Sequence, residues 1–170
     1  MAIVELSFGC GDDSLSVRSF AIEEELSKCF EIALTARSPN PDLALSEFVG
    51  EPALFRMTHS IANAVPKVRV WSGVVRDMAQ VRVEPDGLTT YELTLVPALW
   101  LLTQRRNQRL FQHVAIPDIV ERVLAEWNIE PVWRIARDTY PRLELRTQYN
   151  ESDYHFLSRL LEEAGISFYF

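Results

Sequence analysis

Basic charge is in deficit in this sequence. Its 17 lysines and arginines face 24 aspartates and glutamates, for a net charge of −7. A broad positive surface for nucleic acid or an anionic membrane is therefore not expected. Histidine and cysteine are scarce too. His59, His113 and His155 lie far apart without a His-x-x-x-His spacing, and Cys10 and Cys29 lack the spacing of a zinc or redox pair. No metal or cofactor is expected. The opening Met1-Ala-Ile-Val-Glu-Leu6 has neither the basic stretch nor the apolar run of a secretory signal, so the chain reads as leaderless and cytoplasmic, where a Cys10–Cys29 disulfide is not expected. No stretch approaches the roughly 18 apolar residues of a membrane span. A phosphate-binding glycine loop is missing as well, since Gly9 and Gly11 precede Asp12 and Asp13, which would repel phosphate.

Present instead are the ingredients of an ordinary packed core, 48% hydrophobic and 24% charged residues. Up to about Val96 the pattern is short strands between turn residues. Ile3 to Phe8 opens the series, and after the Gly9 to Asp13 turn Val17 to Leu26 follows with Phe20 and Ile22 on one face. Phe30, Ile32, Leu34 and Ala36 then alternate strictly with polar or small residues, the clearest period-2 segment in the chain. Leu43 to Phe48 reads as a short helical turn. Ala53 to Ser60 and Val68 to Val75 read as a strand pair joined through Ala62 to Pro66. Met78 to Val83 continues after a bend, Pro85-Asp-Gly87 is a tight turn, and Leu88 to Val96 returns with Tyr91, Leu93 and Leu95 on one face. Residues 1–96 are thus expected to form a small antiparallel barrel.

The character changes at Pro97, and residues 97–170 read as an α/β connector leading into a truncated second barrel. Pro97 to Gln104 is short, apolar and begun by proline, as a helix can be. Arg105 to Gln108 reads as a polar turn and Leu110 to Val114 as a brief extended piece. Ile116 to Asn128 is an amphipathic helix with Ile119, Val120, Val123, Leu124 and Trp127 as its stripe. Val132 to Ile135 and Leu143 to Tyr149 are strand candidates. A second helix follows Asn150, read as its N-cap, with Asp153 in the first turn and Phe156, Leu157, Leu160, Leu161 and Ala164 on one face. Gly165 ends it. Burying its four large apolar side chains would contribute about 1.5–3 kcal/mol each, so this helix is a docked element. Ile166, Phe168 and Phe170 then alternate with Ser167 and Tyr169, as in the first strand of an incomplete second barrel. The fold class is α+β, mainly β.

Candidate chemistry is thin. Ser152, Asp153 and His155 stand close together, but residues two or three apart on one helix do not converge as nucleophile, base and orienting acid do. No Gly-x-Ser-x-Gly turn exposes a serine. The acid runs Glu23 to Glu25 and Glu162-Glu163 read as solvated faces. Arg105, Arg106 and Arg109 form a short basic cluster, read as a solvated turn or a partner contact. Trp71, Trp100, Trp127 and Trp133 fit a core or a subunit interface equally well.

Several stretches nevertheless resemble one family. Gln148-Tyr-Asn-Glu-Ser-Asp153, followed by Phe156, Arg159, Leu160 and Gly165, is similar to the Gln-Tyr-x-Glu-Ser-Asp-x-x-Phe-x-Ser-Arg-Leu-Leu-Glu-Glu-x-Gly-Ile-x-Tyr-Phe signature of VgrG. That family forms the spike of the bacterial type VI secretion system, with a base like the hub of contractile phage baseplates. Trp71-Ser-Gly-Val-Val75, with Gly73 at its centre, resembles the family's Phe-x-Gly-Ile-Val strand. Tyr91 to Leu102, including Pro97, Leu99 and Trp100, resembles Tyr-x-Leu-x-Leu-x-Pro-x-Leu-Trp-Leu-Leu. Phe111 and Pro117 match the block between, and Tyr149, Glu151 and Ser152 complete the signature. The first sixty residues resemble the family in strand layout alone. Ile166-Ser167-Phe168 replaces the usual polar or basic residues. The family's second barrel, oligonucleotide-binding-like domain and needle are not expected within these 170 residues.

The resemblance implies a non-enzymatic structural component that trimerises and docks on the tail-tube hexamer and baseplate proteins. It implies contact with a secreted effector or its adaptor, no cofactor, no nucleic acid and no membrane insertion. The protein would be cytoplasmic before firing and delivered outside the cell or into a target cell afterwards. A phage tail hub is the alternative, with an enzymatic effector fragment ranked far below.

Overall fold

Six strands build the first unit: β1 (Ala2–Phe8), β2 (Ser16–Glu23), β3 (Glu31–Ser38), β4 (Pro52–His59), β5 (Lys67–Val83) and β6 (Thr89–Val96). The computed structural model describes residues 2–12, 14–59, 66–85 and 87–170. The first unit takes the residues up to Glu25, Cys29–Pro97 and Phe170; the second takes Leu26–Lys28 and Ala98–Tyr169. The connection Ser60-Ile-Ala-Asn-Ala-Val65, and Met1, Asp13 and Asp86, lie outside the described residues.

All strand pairs in the first sheet are antiparallel, in the order β1-β4-β5-β6-β3-β2. The strand expected to break near Arg76 instead runs unbroken for 17 residues. Its first half, Lys67 to Val74, pairs with β4, and its second half, Val74 to Val83, pairs with β6. Register shifts between Val75 and Asp77 and between Gln80 and Arg82 bend it without cutting it, as bulges do. The bending curls the sheet into a half-barrel whose two end strands, β1 and β2, approach within 8 Å between Cα atoms. Ile32, Leu34 and Ala36 of β3 and Tyr91, Leu93 and Leu95 of β6 are buried inside with Phe30, Phe55 and Trp71. Phe55 anchors the aromatic layer, with its ring 5.8 Å from Trp71 and 5.3 Å from Phe20.

In the second unit, β7 (Arg106–Val114) and β8 (Leu143–Ser152) form a two-stranded antiparallel sheet. Two helices, α1 (Ile116–Ala125) and α2 (Asp153–Glu163), share its core. A two-stranded sheet is marginal alone, so apolar cover is what holds it. Most of the stripes read from the sequence supply that cover: Ile119, Val120, Val123 and Leu124 from α1, and Phe156, Leu157, Leu160 and Leu161 from α2, are buried, whereas α1 ends at Ala125, short of Asn128, and Trp127 and Ala164 lie past the helix ends, half-buried. Phe111 of β7 stacks on Phe156 at 5.8 Å. The Pro97 segment is a 3-10 turn over Ala98–Thr103. Arg106 to Gln108, expected in a turn, already belong to β7.

Three local expectations are corrected. Val132 to Ile135 is not a strand: Val132 is 86% exposed, while Trp133 and Ile135 lean on the core as an irregular segment. Arg137 pins its end through Asp118 and Glu121 and lies 5.3 Å above the Trp133 ring. Ile166 to Phe170 is not a strand either. Its alternation survives as burial of Ile166 and partial burial of Phe168, but its backbone bonds to Ser27, whose N–H donates to the Phe168 carbonyl at 2.9 Å. Finally, Asn150 does not cap α2. It sits at φ +49° as the extra residue in β8 where Asn107 faces Glu151 and Gln108 faces Tyr149. Asparagine tolerates this left-handed conformation. The cap is Ser152, whose Oγ accepts from the His155 N–H at 3.1 Å.

The C-terminus of α2 follows expectation. Gly165 has φ +67°, its N–H donates to the Glu162 carbonyl, and the Ile166 N–H reaches back to Leu161. This double bond pattern is a Schellman closure, which needs a left-handed residue. Gly165→Ala is expected to lower stability by about 1 kcal/mol, read as a shift in the thermal midpoint; an unchanged midpoint would show that the closure contributes nothing.

Candidate functional site

Asp153 is the buried centre of the second unit. As the first residue of α2 it stands beside the end of β8 and the start of β7, and its own N–H donates to the Arg105 carbonyl at 3.1 Å. Its carboxylate is fully enclosed. Oδ2 accepts from Arg105 Nε at 2.8 Å and from Trp127 Nε1 at 3.0 Å, and Oδ1 accepts from Gln148 Nε2 at 2.8 Å. Arg109 Nη2 lies 3.4 Å from Oδ1. Glu126, past the end of α1, ties the same two arginines together at 2.6 and 2.9 Å. Arg105 also lies 4.7 Å over the Trp127 ring.

Six groups thus converge from four parts of the chain. Arg105 and Arg109 come from the edge and body of β7, Glu126 and Trp127 from the end of α1, Gln148 from β8 and Asp153 from α2. Burial pushes the Asp153 carboxyl up. The hydrogen bonds from Gln148, Trp127 and Arg105 and the charge of Arg109 outweigh it, so the group lies below the usual aspartate value. A carboxylate held ionised and closed off from solvent can fasten elements together. It has no path to a substrate.

The Ser152, Asp153 and His155 trio is dispersed in its duties. Ser152 caps the helix, Asp153 fills the cluster, and the His155 ring is 71% exposed, 3.8 Å from Glu151. Arg159 folds over the same end, pairing with Glu151 at 2.6 Å and donating to the Thr147 carbonyl. Arg105 and Arg109, read from the sequence as a solvated turn or partner contact, are instead the cationic half of the cluster. Trp127 joins them through its ring nitrogen. The acid runs are also engaged, Glu24 with Arg69 and with Trp71 Nε1, and Glu163 with Arg146. Neither Cys10 nor Cys29 is in a disulfide, no His/Cys/Asp/Glu group among the described residues could hold a metal ion, and none of their helices is long and apolar enough to cross a membrane.

The remaining signature residues divide by unit. Trp71 and Gly73 are buried in β5, and Pro97 is buried just after β6. Leu99 and Trp100 are half-buried in the 3-10 turn, Phe111 faces Phe156, and Pro117 is buried in the first turn of α1. Gln148, Phe156 and Leu160 are fully buried. Tyr149, by contrast, is 75% exposed and shares the outward sheet face with Leu110 and Leu145.

Residues 23–170 match the model of the phage tail baseplate hub family. Among curated proteins, the chain is 38% identical over 158 residues to the type VI secretion system spike protein VgrG4b of Pseudomonas aeruginosa, covering 92% of this chain and 19% of that protein. It is 30% identical over 170 residues to VgrG1c of the same organism, covering 99% and 22%. The chain therefore spans about a fifth of the length of these relatives. Among solved structures, an Escherichia coli component of the type VI secretion system, described as similar to the T4 bacteriophage tail proteins gp27 and gp5, superposes with a TM-score of 0.81 at 27% identity over 98% of this chain and 45% of that one. With the family model matched from Glu23 to Phe170, the chain belongs to the phage tail baseplate hub family.

Proposed function

We propose that this chain is the base module of a type VI secretion spike, a non-enzymatic part that assembles with two further copies of itself and docks on the tail-tube hexamer and baseplate. The observation that carries the reading is the hub-family match over residues 23–170 in a chain whose relatives are named as spike proteins. The site is consistent with it. The charged cluster around the buried Asp153 fastens β7, β8, α1 and α2 together, and its serine, aspartate and histidine are engaged separately. In this reading residues 1–96 supply one barrel of the base and residues 97–170 the connector. The protein sits in the cytoplasm until firing and leaves with the apparatus, carrying a secreted effector or its adaptor. A phage tail hub would use the same fold; the spike relatives favour secretion.

Light scattering of the isolated chain, alone and with purified tail-tube hexamers, tests this. A complex with the tube protein is the expected result. A trimer without it would place the self-association surface within these residues, with the half-buried Trp100 segment as the first region to mutate. One barrel per copy is not expected to close a pseudo-sixfold ring, so electron microscopy should show none. A chain that binds neither itself nor any tube or baseplate protein would sink the proposal.

A further inference from the structure

Gln148 is fully buried, and its amide orientation is decided by its neighbours. Nε2 donates to the Glu151 carbonyl at 3.1 Å and to Asp153 Oδ1 at 2.8 Å. Turning the amide over would set its oxygen against two acceptors, so Oε1 faces the other way. There it has no hydrogen-bond partner. Directly across the sheet, the register partner of Gln148 is Arg109. Arg109 Nη2 is engaged by Asp153 and Glu126, whereas Nη1 is buried and likewise has no partner. One orphan is an acceptor and the other a donor, on side chains that meet at the same carboxylate. A buried donor or acceptor left unmade forfeits its hydration without return, and buried polar groups in native proteins are almost always satisfied.

We infer that a single buried water molecule is bound between Arg109 and Gln148, accepting from Nη1 and donating to Oε1. The chemistry selects it over an ion. An anion would be repelled by the amide oxygen and a cation by the guanidinium, whereas a small neutral molecule that both donates and accepts answers both groups. Buried waters typically make two to four such bonds. The water completes the hydrogen-bonding of Arg109 and Gln148 on the buried side of the Asp153 cluster.

A crystal structure of the chain that resolves ordered water tests the site, with a density peak expected within about 2.7–3.2 Å of both atoms. In solution, a nuclear Overhauser cross-peak is expected between water and the Gln148 side-chain amide. Arg109→Lys keeps the charge beside Asp153 but deletes Nη1, and should abolish that cross-peak. A direct Nη1–Oε1 bond, no density, or a cross-peak that persists in Arg109→Lys would each overturn the inference. If the variant fails to fold, the wild-type density decides alone.

Discussion

Gly73→Ala is expected to destabilise the first unit by about 3 kcal/mol or more, the top of the range for overpacking. Gly73 lies in β5 just where that strand leaves β4 and begins to pair with β6. A β-carbon there would be driven into the Val96 carbonyl oxygen, 2.8 Å from its carbon and 3.3 Å from Pro97 Cα. All three obstacles are backbone. No rotamer change relieves them, so β6 would have to move away from β5, and with it Leu93 and Leu95, which are buried in the core. Gly9→Ala is the control. Its β-carbon would meet the Glu51 carboxylate at 3.0 Å and Pro52 Cδ at 3.3 Å, and the glutamate side chain can swing aside. A loss under about 1 kcal/mol is expected there. Urea denaturation of both variants, with hydrogen exchange at the β6 amides, would measure the difference. Equal midpoints for the two would show that the β5–β6 corner has room that its geometry denies.

Asp153→Ala is expected to cost about 3 kcal/mol and to loosen the second unit. Removing one partner of a buried ion pair typically costs about 3–5 kcal/mol because the other charge is left uncompensated. The lower end applies because Arg105 is 38% exposed and can turn to water, while Arg109, at 15%, cannot do so as readily. Gln148 and Trp127 would each lose an acceptor as well. The same residue sets a pH dependence. Its folded-state pKa is depressed, so its contribution is complete above the ordinary aspartate value near 4 and disappears as pH falls through the lower folded value. In acid titrations of stability, the wild type should lose this increment below about pH 4, and Asp153→Asn should lack that component. Parallel acid profiles for the two would mean that the cluster does not hold the unit together.

Much of this architecture was legible in the residues. Strict alternation at Ile32, Leu34 and Ala36 and at Tyr91, Leu93 and Leu95 named the inner faces of β3 and β6, because a pleated strand presents every second side chain to the same side. Helical spacing named the buried stripes of α1 and α2, and Gly165 marked where α2 stops. These signals are local, and tertiary packing agrees with them. Where packing could satisfy the same pattern another way, the reading failed. Ile166 and Phe168 are turned inward without a ladder, since Ser27 supplies the backbone partner. Asparagine at position 150 suits a helix cap, yet it also suits a left-handed bulge, and the register of β7 and β8 decides between the two.

By itself the sequence determined the strand and helix faces, the family signature, and the want of any local motif for catalysis, metal or phosphate. Only the tertiary structure decided what the signature residues do. Arg105 and Asp153 are 48 positions apart, and Arg109 and Gln148 are 39 apart. Nothing local couples them. Charge on a linear chain reads as solvated by default, because water is its cheapest partner. Pairing β7 with β8 and docking α1 and α2 over them removes that water from the Asp153 carboxylate, which then has only protein groups to bind.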